Sequence, residues 1–303
     1  MTVALAVKVW DGIVLATDSA TTLGYGTTNP QVYNHANKTF QLHRKYPIGA
    51  MTWGLGQVSS ASISSLAKDF RSALMGDGND ASRNHWELGD DYEILDVTKH
   101  LVEFMYPLYQ PFMTDVVEQL KAIEVSKGDS GDPDSVKPLA LGMLVAGYSS
   151  DTTQGPQAFK VVFDDVTSAP TPEPVLQSSF GWVAYAQSNA VERLILGVDP
   201  RLKAFLAEGD FQPPHEAQVG LDGALQIIDL EPVNPAMPYQ DAINFARFLA
   251  DVSVGYSRWT MGPDTVGGAV EVAGISRHEG FKWVNRKHYY PSELNPERST
   301  HGS

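Results

Sequence analysis

The chain opens with two apolar, β-branched runs that are separated by a short turn signal. Residues 2–9 form the first run, Asp11-Gly12 the turn, and residues 13–17 the second run. Two such runs around an Asp-Gly pair are typical of a β-hairpin. The sequence therefore predicts that the fold starts as antiparallel sheet. The second strand returns toward the start of the first, and we expect it to bring Asp18 near Thr2.

Strands and helices come in separate groups along the rest of the chain. Runs of strands followed by runs of helices, with few strand–helix–strand alternations, favour antiparallel sheets covered by helices on their outer faces. We therefore predict an α+β fold. The predicted helix 94–123 contains Pro107 and Pro111 and is expected to kink or split there. The predicted strands are 2–9, 13–17, 39–43, 48–53, 139–148, 159–163, 180–186, 269–276 and 281–284, and the other predicted helices are 59–74, 190–196 and 239–254.

The organisation is that of one domain with insertions. Residues 1–286 hold every predicted helix and strand, and the chain contains no internal repeat. A Pro/Gly-rich stretch, about 208–238, is predicted to be a peripheral insertion with one short strand at 225–230. Acidic loops rich in Gly, Asp and Ser, such as 126–134, are predicted to be exposed. Residues 287–303 are predicted to form a tail.

Composition excludes several classes of function. The 303 residues include 22 Lys+Arg and 36 Asp+Glu, a net charge of −14, so the chain lacks the positive field that attracts proteins to nucleic acid or anionic lipid. The absence of cysteine excludes disulfides, cysteine-ligated metals and a cysteine nucleophile. No window approaches the roughly 20 apolar residues of a membrane span, and no signal peptide is recognisable. We therefore expect a cytoplasmic protein with no nucleic-acid or membrane partner.

Thr2 is the first candidate for chemistry. Initiator methionine is usually removed before a small side chain, and we expect removal of Met1 to be sufficient to expose Thr2 with a free α-amine. Such an amine has a pKa near neutrality, so it can act as a base beside the threonine's own hydroxyl. Pairing a threonine hydroxyl with an N-terminal amine is a known way of activating a nucleophile.

Asp18 and Lys38 supply the charges that such a site needs. A buried ammonium near the α-amine lowers the pKa of that amine by like-charge repulsion, and a carboxylate beside the lysine keeps the lysine charged. Thr2, Asp18 and Lys38 together are therefore the parts of a self-contained acyl-transfer site. The hypothesis depends on their arrangement in space, because each of these residue types is common at turns and surfaces.

The sequence around these residues resembles the proteasome β-subunit family of N-terminal nucleophile hydrolases. Thr2 and Asp18 are 16 positions apart, as in that family, and Lys38 lies a few residues later than usual. The chain resembles divergent bacterial relatives, including the ancestral β-subunit (Anbu) type, more than it resembles the housekeeping proteasome. The segments that carry the resemblance are 2–3, 11–19 and 37–42, followed by 49–51, 142–148 and 264–270.

The resemblance implies a four-layer αββα sandwich and a threonine peptidase mechanism. Thr2 attacks the peptide carbonyl, its amine carries the proton, and Asp18 and Lys38 tune that amine. Asp264 matches the family's second aspartate, which supports the threonine from a distance. A backbone N–H near Trp53 or Gly54 is expected to stabilise the oxyanion. The expected substrate is a peptide or unfolded protein, the expected assembly is a homo-oligomer in a closed or open ring, and no cofactor or metal is expected.

The chain also departs from the family pattern. Trp182, within Gly181-Trp182-Val183, stands where a serine is expected, and Gly267 stands where another serine is frequent. These changes leave two alternatives open. One is a non-catalytic, ring-forming scaffold, and the other is a peptide ligase or transpeptidase that uses the same acyl-enzyme on Thr2.

Three other kinds of site fit the sequence poorly. Residues 54–59 follow a strand and precede a helix, but the third glycine of a dinucleotide fingerprint is replaced by Ser59. The eight histidines show no paired spacing on one helix face, and a G-x-S-x-G elbow is absent. The sequence thus favours threonine chemistry over nucleotide, metal or serine-triad chemistry.

Overall fold

A computed structural model describes residues 2–23, 31–77, 85–126, 132–177, 179–199, 201–202, 223, 230–260 and 266–287. Four α-helices and antiparallel β-sheets make up this part of the chain, so the predicted α+β class is confirmed. The strands are β1 (Val3–Val9), β2 (Gly12–Thr17), β3 (Thr21–Leu23), β4 (Gln31–Tyr33), β5 (Thr39–Gln41), β6 (Ile48–Gly54), β7 (Gln57–Val58), β8 (Ala61–Ser62), β9 (Leu141–Gly147), β10 (Gln157–Phe163), β11 (Glu173–Pro174), β12 (Gly181–Ala186), β13 (Glu271–Ser276) and β14 (Gly280–Asn285). The helices are α1 (Ile63–Leu74), α2 (Ile94–Ser126), α3 (Asn189–Leu196) and α4 (Tyr239–Arg258), with a 3₁₀ turn at Pro133–Ser135.

The first sheet is built around the N-terminal hairpin. Its strand order is β12-β1-β2-β13-β14, and all neighbours are antiparallel. Every residue of β1 and β2 is buried, and apart from Lys8 and Thr17 both strands are apolar on both faces. Ala4 pairs with Thr17, so the residues just before β1 and just after β2 lie side by side.

The second sheet has the order β11-β10-β9-β6-β5 and is also antiparallel. Its central strands, β6 and β9, are buried along nearly their whole length. The short pairs β3–β4 and β7–β8 are separate hairpins that the sequence did not predict. They have only two or three residues per strand, too few for a hydrophobic period to be recognised.

Apolar side chains fill the spaces on both faces of each sheet. Alternate residues of β1 point in opposite directions: Ala4 and Ala6 pack against Met51 and Leu144 of the second sheet, whereas Leu5 and Val7 pack under α3 and α4. The outer face of the second sheet packs against α1 and α2.

Helix α2 is longer than predicted and does not split. It runs for 33 residues through Pro107 and Pro111. Its first half is buried against the second sheet, so tertiary packing supports the helix across the positions where proline removes backbone hydrogen bonds. Among the described residues, no helix combines the length and apolar character that crossing a bilayer requires. The predicted strand 225–230 lies outside the described residues except for Leu230, and residues 288–303 of the predicted tail lie outside them as well.

Candidate active site

Asp18 is held rigidly at the open end of the N-terminal hairpin. Its side chain is fully buried and accepts three backbone hydrogen bonds. The N–H of Val3 donates to Oδ1 at 3.1 Å, and the N–H groups of Ala20 and Gly267 donate to Oδ2, each at 3.0 Å. The hairpin return that the sequence predicts therefore brings Asp18 to the residue that follows Thr2.

Lys38 completes a buried ion pair with this carboxylate. Its Nζ lies 2.7 Å from Asp18 Oδ1, and only 4% of the residue is exposed. Burial is the largest influence on the pKa of Lys38 and lowers it, whereas the Asp18 charge and hydrogen bond act in the opposite direction. The Thr52 N–H donates to the Lys38 carbonyl at 2.9 Å, which fixes the lysine backbone to β6.

Thr2 is held from both sides through its backbone. Its carbonyl accepts a 2.8 Å hydrogen bond from the Gln187 N–H, and the next N–H, that of Val3, is the one that binds Asp18. Thr2 is 97% buried by these neighbours, with 3% of its surface exposed. The first residues of β1 are therefore positioned by the sheet itself.

A cavity of about 200 Å³ joins Thr2 to the other predicted residues. Thr2, Lys38, Trp53 and Gly54 all line it. The cavity lies between the hairpin end, the last residues of β6 and the first turn of α1. Its remaining walls come from Thr21, Ala36, Asn37, Thr52, Leu55, Gly56, Gln57, Ser60, Ser62, Ile63 and Ser64.

The Trp53 side chain is fixed by its neighbours in both sheets. Its ring stacks on Tyr185 with centroids 4.4 Å apart and an interplanar angle of 3°. A Cβ atom on Gly142 would lie 2.0 Å from that ring, so a residue without a side chain is required there. Gly54 has φ +86°, and a Cβ on it would lie 2.2 Å from the Ala140 carbonyl oxygen.

The structure brings together five of the six predicted site residues: Thr2, Asp18, Lys38, Trp53 and Gly54. The sixth, Asp264, lies outside the described residues. The site thus combines a threonine, an ion-paired ammonium and carboxylate, and a cavity that can admit a side chain. These are the groups of a nucleophile site in which nearby charges adjust the pKa of the base.

The two departures from the family pattern lie in different places. Trp182 pairs with Val7, five residues along β1 from Thr2 and about 16 Å away at strand spacing. Gly267 is close to the site, because its N–H donates to Asp18 and its carbonyl accepts from the Ser19 N–H at 2.9 Å. A buried serine, Ser188, follows the end of β12 that pairs with Val3, one residue beyond Gln187.

Sequence reasoning missed a second buried ion pair behind Asp18 and Lys38. Lys287 Nζ lies 3.2 Å from Glu271 Oε2, and both side chains are buried. A glutamate at the start of the apolar strand β13 was a signal that could have been read. Lys287 gave none, because its contact with the site spans more than 250 residues of sequence.

A second, larger cavity lies at the other end of β1. It has a volume of about 760 Å³ and is lined by Lys8, Tyr148, Phe159, Arg277 and others. Lys8 is buried and donates to the carbonyls of Leu176 (2.5 Å) and Gln177 (3.4 Å). Burial lowers the pKa of Lys8. Among the described residues no carboxylate pairs with it.

Comparison of the sequence with models of known protein families gives no match, and comparison with curated proteins gives no significant match. In the part of the chain that the structure describes, no group of three or more His, Asp or Glu side chains could hold a metal ion.

Proposed function

We propose that the protein is a threonine-type peptidase that forms an acyl-enzyme on Thr2 after removal of Met1. One observation carries the proposal: Thr2 lines a cavity together with Lys38, and the Lys38 ammonium is 2.7 Å from a carboxylate that backbone amides hold in place. A surface lysine or a turn aspartate would not be buried in this way with its polar atoms hydrogen-bonded.

The proposed reaction uses the α-amine of Thr2 as its base. The amine takes the proton from Thr2 Oγ1 as this oxygen attacks the peptide carbonyl carbon. The amine then gives the proton to the leaving nitrogen as the C–N bond breaks, which leaves an ester on Thr2. Water attacks the ester by the reverse proton path and releases the carboxylic acid. Lys38 favours the neutral amine by like-charge repulsion, and Asp18 keeps Lys38 charged.

Stabilisation of the oxyanion is assigned to a backbone N–H at the end of β6, near Trp53 or Gly54, which border the cavity. Preorganised donors of this kind contribute about 3–4 kcal/mol in acyl-transfer enzymes. We assign Asp264 a supporting role at the same site. The packing of helices outside two facing sheets supports the four-layer αββα sandwich as the architecture of the domain.

The proposed substrate is a peptide or unfolded protein. A 200 Å³ cavity beside Thr2 is small enough to receive one side chain of an extended chain while the rest of the substrate remains outside. Assembly as a homo-oligomeric ring is proposed from the resemblance to proteasome β-subunits.

The ligase alternative uses the same acyl-enzyme, with an amine in place of water in the second step. The scaffold alternative depends on Trp182 and Gly267. Trp182 lies far along β12 from the cavity, and Gly267 contributes its backbone N–H rather than a side chain, so neither removes a group that the proposed steps need.

The test is turnover of a fluorogenic peptide library by wild type, Thr2→Ala and Thr2→Ser. Thr2→Ala is expected to lose about a thousandfold or more of the activity, whereas Thr2→Ser keeps a hydroxyl and retains part of it. Thr114→Ala, on α2, is the matched control and keeps full activity. Undiminished turnover by Thr2→Ala would overturn the proposal, and joined products after addition of a peptide amine would indicate ligation.

A further inference from the structure

A second buried pair of opposite charges, Glu271 and Lys287, lies next to the segments that carry Asp18 and Lys38. Lys287 follows β14, and Glu271 opens β13 opposite Thr17. The Glu271 carboxylate is 1% exposed, and among the described residues neither of its oxygens finds a partner other than the Lys287 ammonium at 3.2 Å.

Lys287 also holds the two segments that carry the first pair. Its Nζ donates to Ser19 Oγ at 2.8 Å and to the Ala36 carbonyl at 2.5 Å. Ser19 adjoins Asp18, Ala36 lies two residues before Lys38, and the Ala36 N–H donates to the Ser19 carbonyl at 2.9 Å. One ammonium therefore contacts both of the segments that carry the charged residues, through the Ser19 hydroxyl and the Ala36 carbonyl.

We infer that Glu271 and Lys287 are positioning residues of the Thr2 site, which fix the segments of Asp18 and Lys38 and place a second pair of charges behind them. The inference rests on the proposed function and adds to it the residues that set the electrostatics of the amine. Burying an ion pair carries a desolvation cost that an apolar pair would avoid, so packing alone does not account for these charges.

The two new charges act on Lys38 in opposite directions. The Lys287 charge lowers the pKa of Lys38 and the Glu271 charge raises it, in addition to the larger effects of burial and of Asp18. Burial is the largest influence on the pKa of Lys287 and lowers it. The Glu271 and Asp18 charges raise that pKa, and the Arg286 charge lowers it. The Thr2 amine, if free, responds with the same signs as Lys38, because both are cationic when protonated.

The pH dependence of kcat/KM separates this role from a structural one. In Lys287→Met, loss of a positive charge raises the pKa of the Thr2 amine, so the acidic limb of the profile moves to higher pH and turnover on that limb falls several-fold. In Glu271→Gln the limb moves to lower pH. The double variant restores the wild-type position of the limb, and Lys287→Arg keeps it. Lys99→Met is the control, because it removes the lysine of a surface ion pair on α2.

A second readout does not require turnover. NMR titration of ¹³Cε-labelled lysine, with the Lys38 signal assigned from Lys38→Met, is expected to show the Lys38 midpoint rise in Lys287→Met and fall in Glu271→Gln. If wild type hydrolyses no peptide but these midpoints move, the proposed function fails and the charge coupling remains. Unmoved midpoints and profiles in folded variants would overturn the inference. If Lys287→Met does not fold, Glu271→Gln decides, because it keeps the bonds of Lys287 to Ser19 and Ala36.

Discussion

Two buried lysines lie at opposite ends of the first sheet, and their surroundings differ. Lys8, near the end of β1, borders the 760 Å³ cavity, and its hydrogen-bond acceptors among the described residues are backbone carbonyls. Lys38 borders the 200 Å³ cavity and is paired with Asp18, a carboxylate held by three backbone amides. Burial lowers the pKa of both lysines, but only at Lys38 does a carboxylate oppose that effect.

In the proposed function the chemistry lies at the smaller cavity, so cavity size does not identify the site. The larger cavity is lined by Lys8 and by the exposed carboxylates of Asp11 and Glu279, neither of which forms an ion pair with Lys8 in the described part of the chain. The smaller cavity is lined by Thr2, by Lys38, whose ammonium is paired with Asp18, and by Trp53, whose ring stacks on Tyr185. Burying a charge costs desolvation free energy, and the ion pair with Asp18 offsets part of that cost at Lys38. The predictions below test whether the two ends differ in this way.

Removal of the carboxylate is expected to have the largest effect. Asp18→Asn leaves the buried Lys38 ammonium unpaired and puts amide hydrogens among N–H donors, so unfolding free energy falls by about 3–5 kcal/mol. Asp11→Asn, beside the larger cavity, is the matched control, with a change within about 0.5 kcal/mol. Urea unfolding measures both. Equal losses in the two variants would remove the distinction between the ends.

Replacement of the two lysines compares the ends directly. Lys38→Met is expected to lower peptide turnover by about a hundredfold or more, because the charge that tunes the Thr2 amine is lost. Lys8→Met is expected to turn over peptide like wild type. Steady-state rates at pH 7.5, with circular dichroism to confirm folding, decide the matter. A larger loss in Lys8→Met would move the functional site to the other cavity.

Addition of one methyl group tests the rigidity of the wall. Gly142→Ala drives a Cβ into the Trp53 ring, and we expect destabilisation of about 1–3 kcal/mol with altered tryptophan fluorescence. Gly155→Ala, at the larger cavity, meets no atom within 4 Å and is expected to be neutral or slightly stabilising. If Gly142→Ala is as stable as Gly155→Ala, Trp53 is not held as described.

The pH dependence of stability gives the smallest effect. The folded-state pKa of Lys8 lies below its ordinary value of 10.5, so the unfolded chain binds more protons in the alkaline range. The penalty of burying charged Lys8 is therefore full at neutral pH and fades as pH rises through the folded pKa toward 10.5. Lys8→Met is expected to match or exceed wild type at pH 7 by up to about 1 kcal/mol, with the difference shrinking at pH 10. A growing advantage at pH 10 would contradict this sign.

The hairpin and the residues it carries could be predicted from sequence, because local signals determine them. The Asp-Gly turn and two apolar runs give β1 and β2, and the strand return gives the proximity of Thr2 and Asp18. Lys38 was predicted as a site residue from the chemistry that the site needs and from the resemblance to proteasome β-subunits. These residues are separated by at most 36 positions, so short-range reasoning reaches them.

The rest depends on long-range register and packing. Gly181-Trp182-Val183 was aligned to the site by pattern, but pairing with β1 puts Trp182 opposite Val7. The prolines of α2 predicted a kink or a split, but the helix continues through both positions, and its first half is buried against the second sheet. Glu271 and Lys287 meet Asp18's neighbours across the whole chain, and no local pattern specifies such a contact.

The most direct test is the reaction of purified protein with a peptide epoxyketone. Closure of its ring product requires both a hydroxyl and a free α-amine on one residue, so the reagent tests both halves of the Thr2 claim. Intact mass and peptide mapping are expected to show the chain without Met1, carrying one inhibitor on Thr2, and no adduct on Thr2→Ala. Retained Met1, or an adduct that persists in Thr2→Ala, would contradict the account.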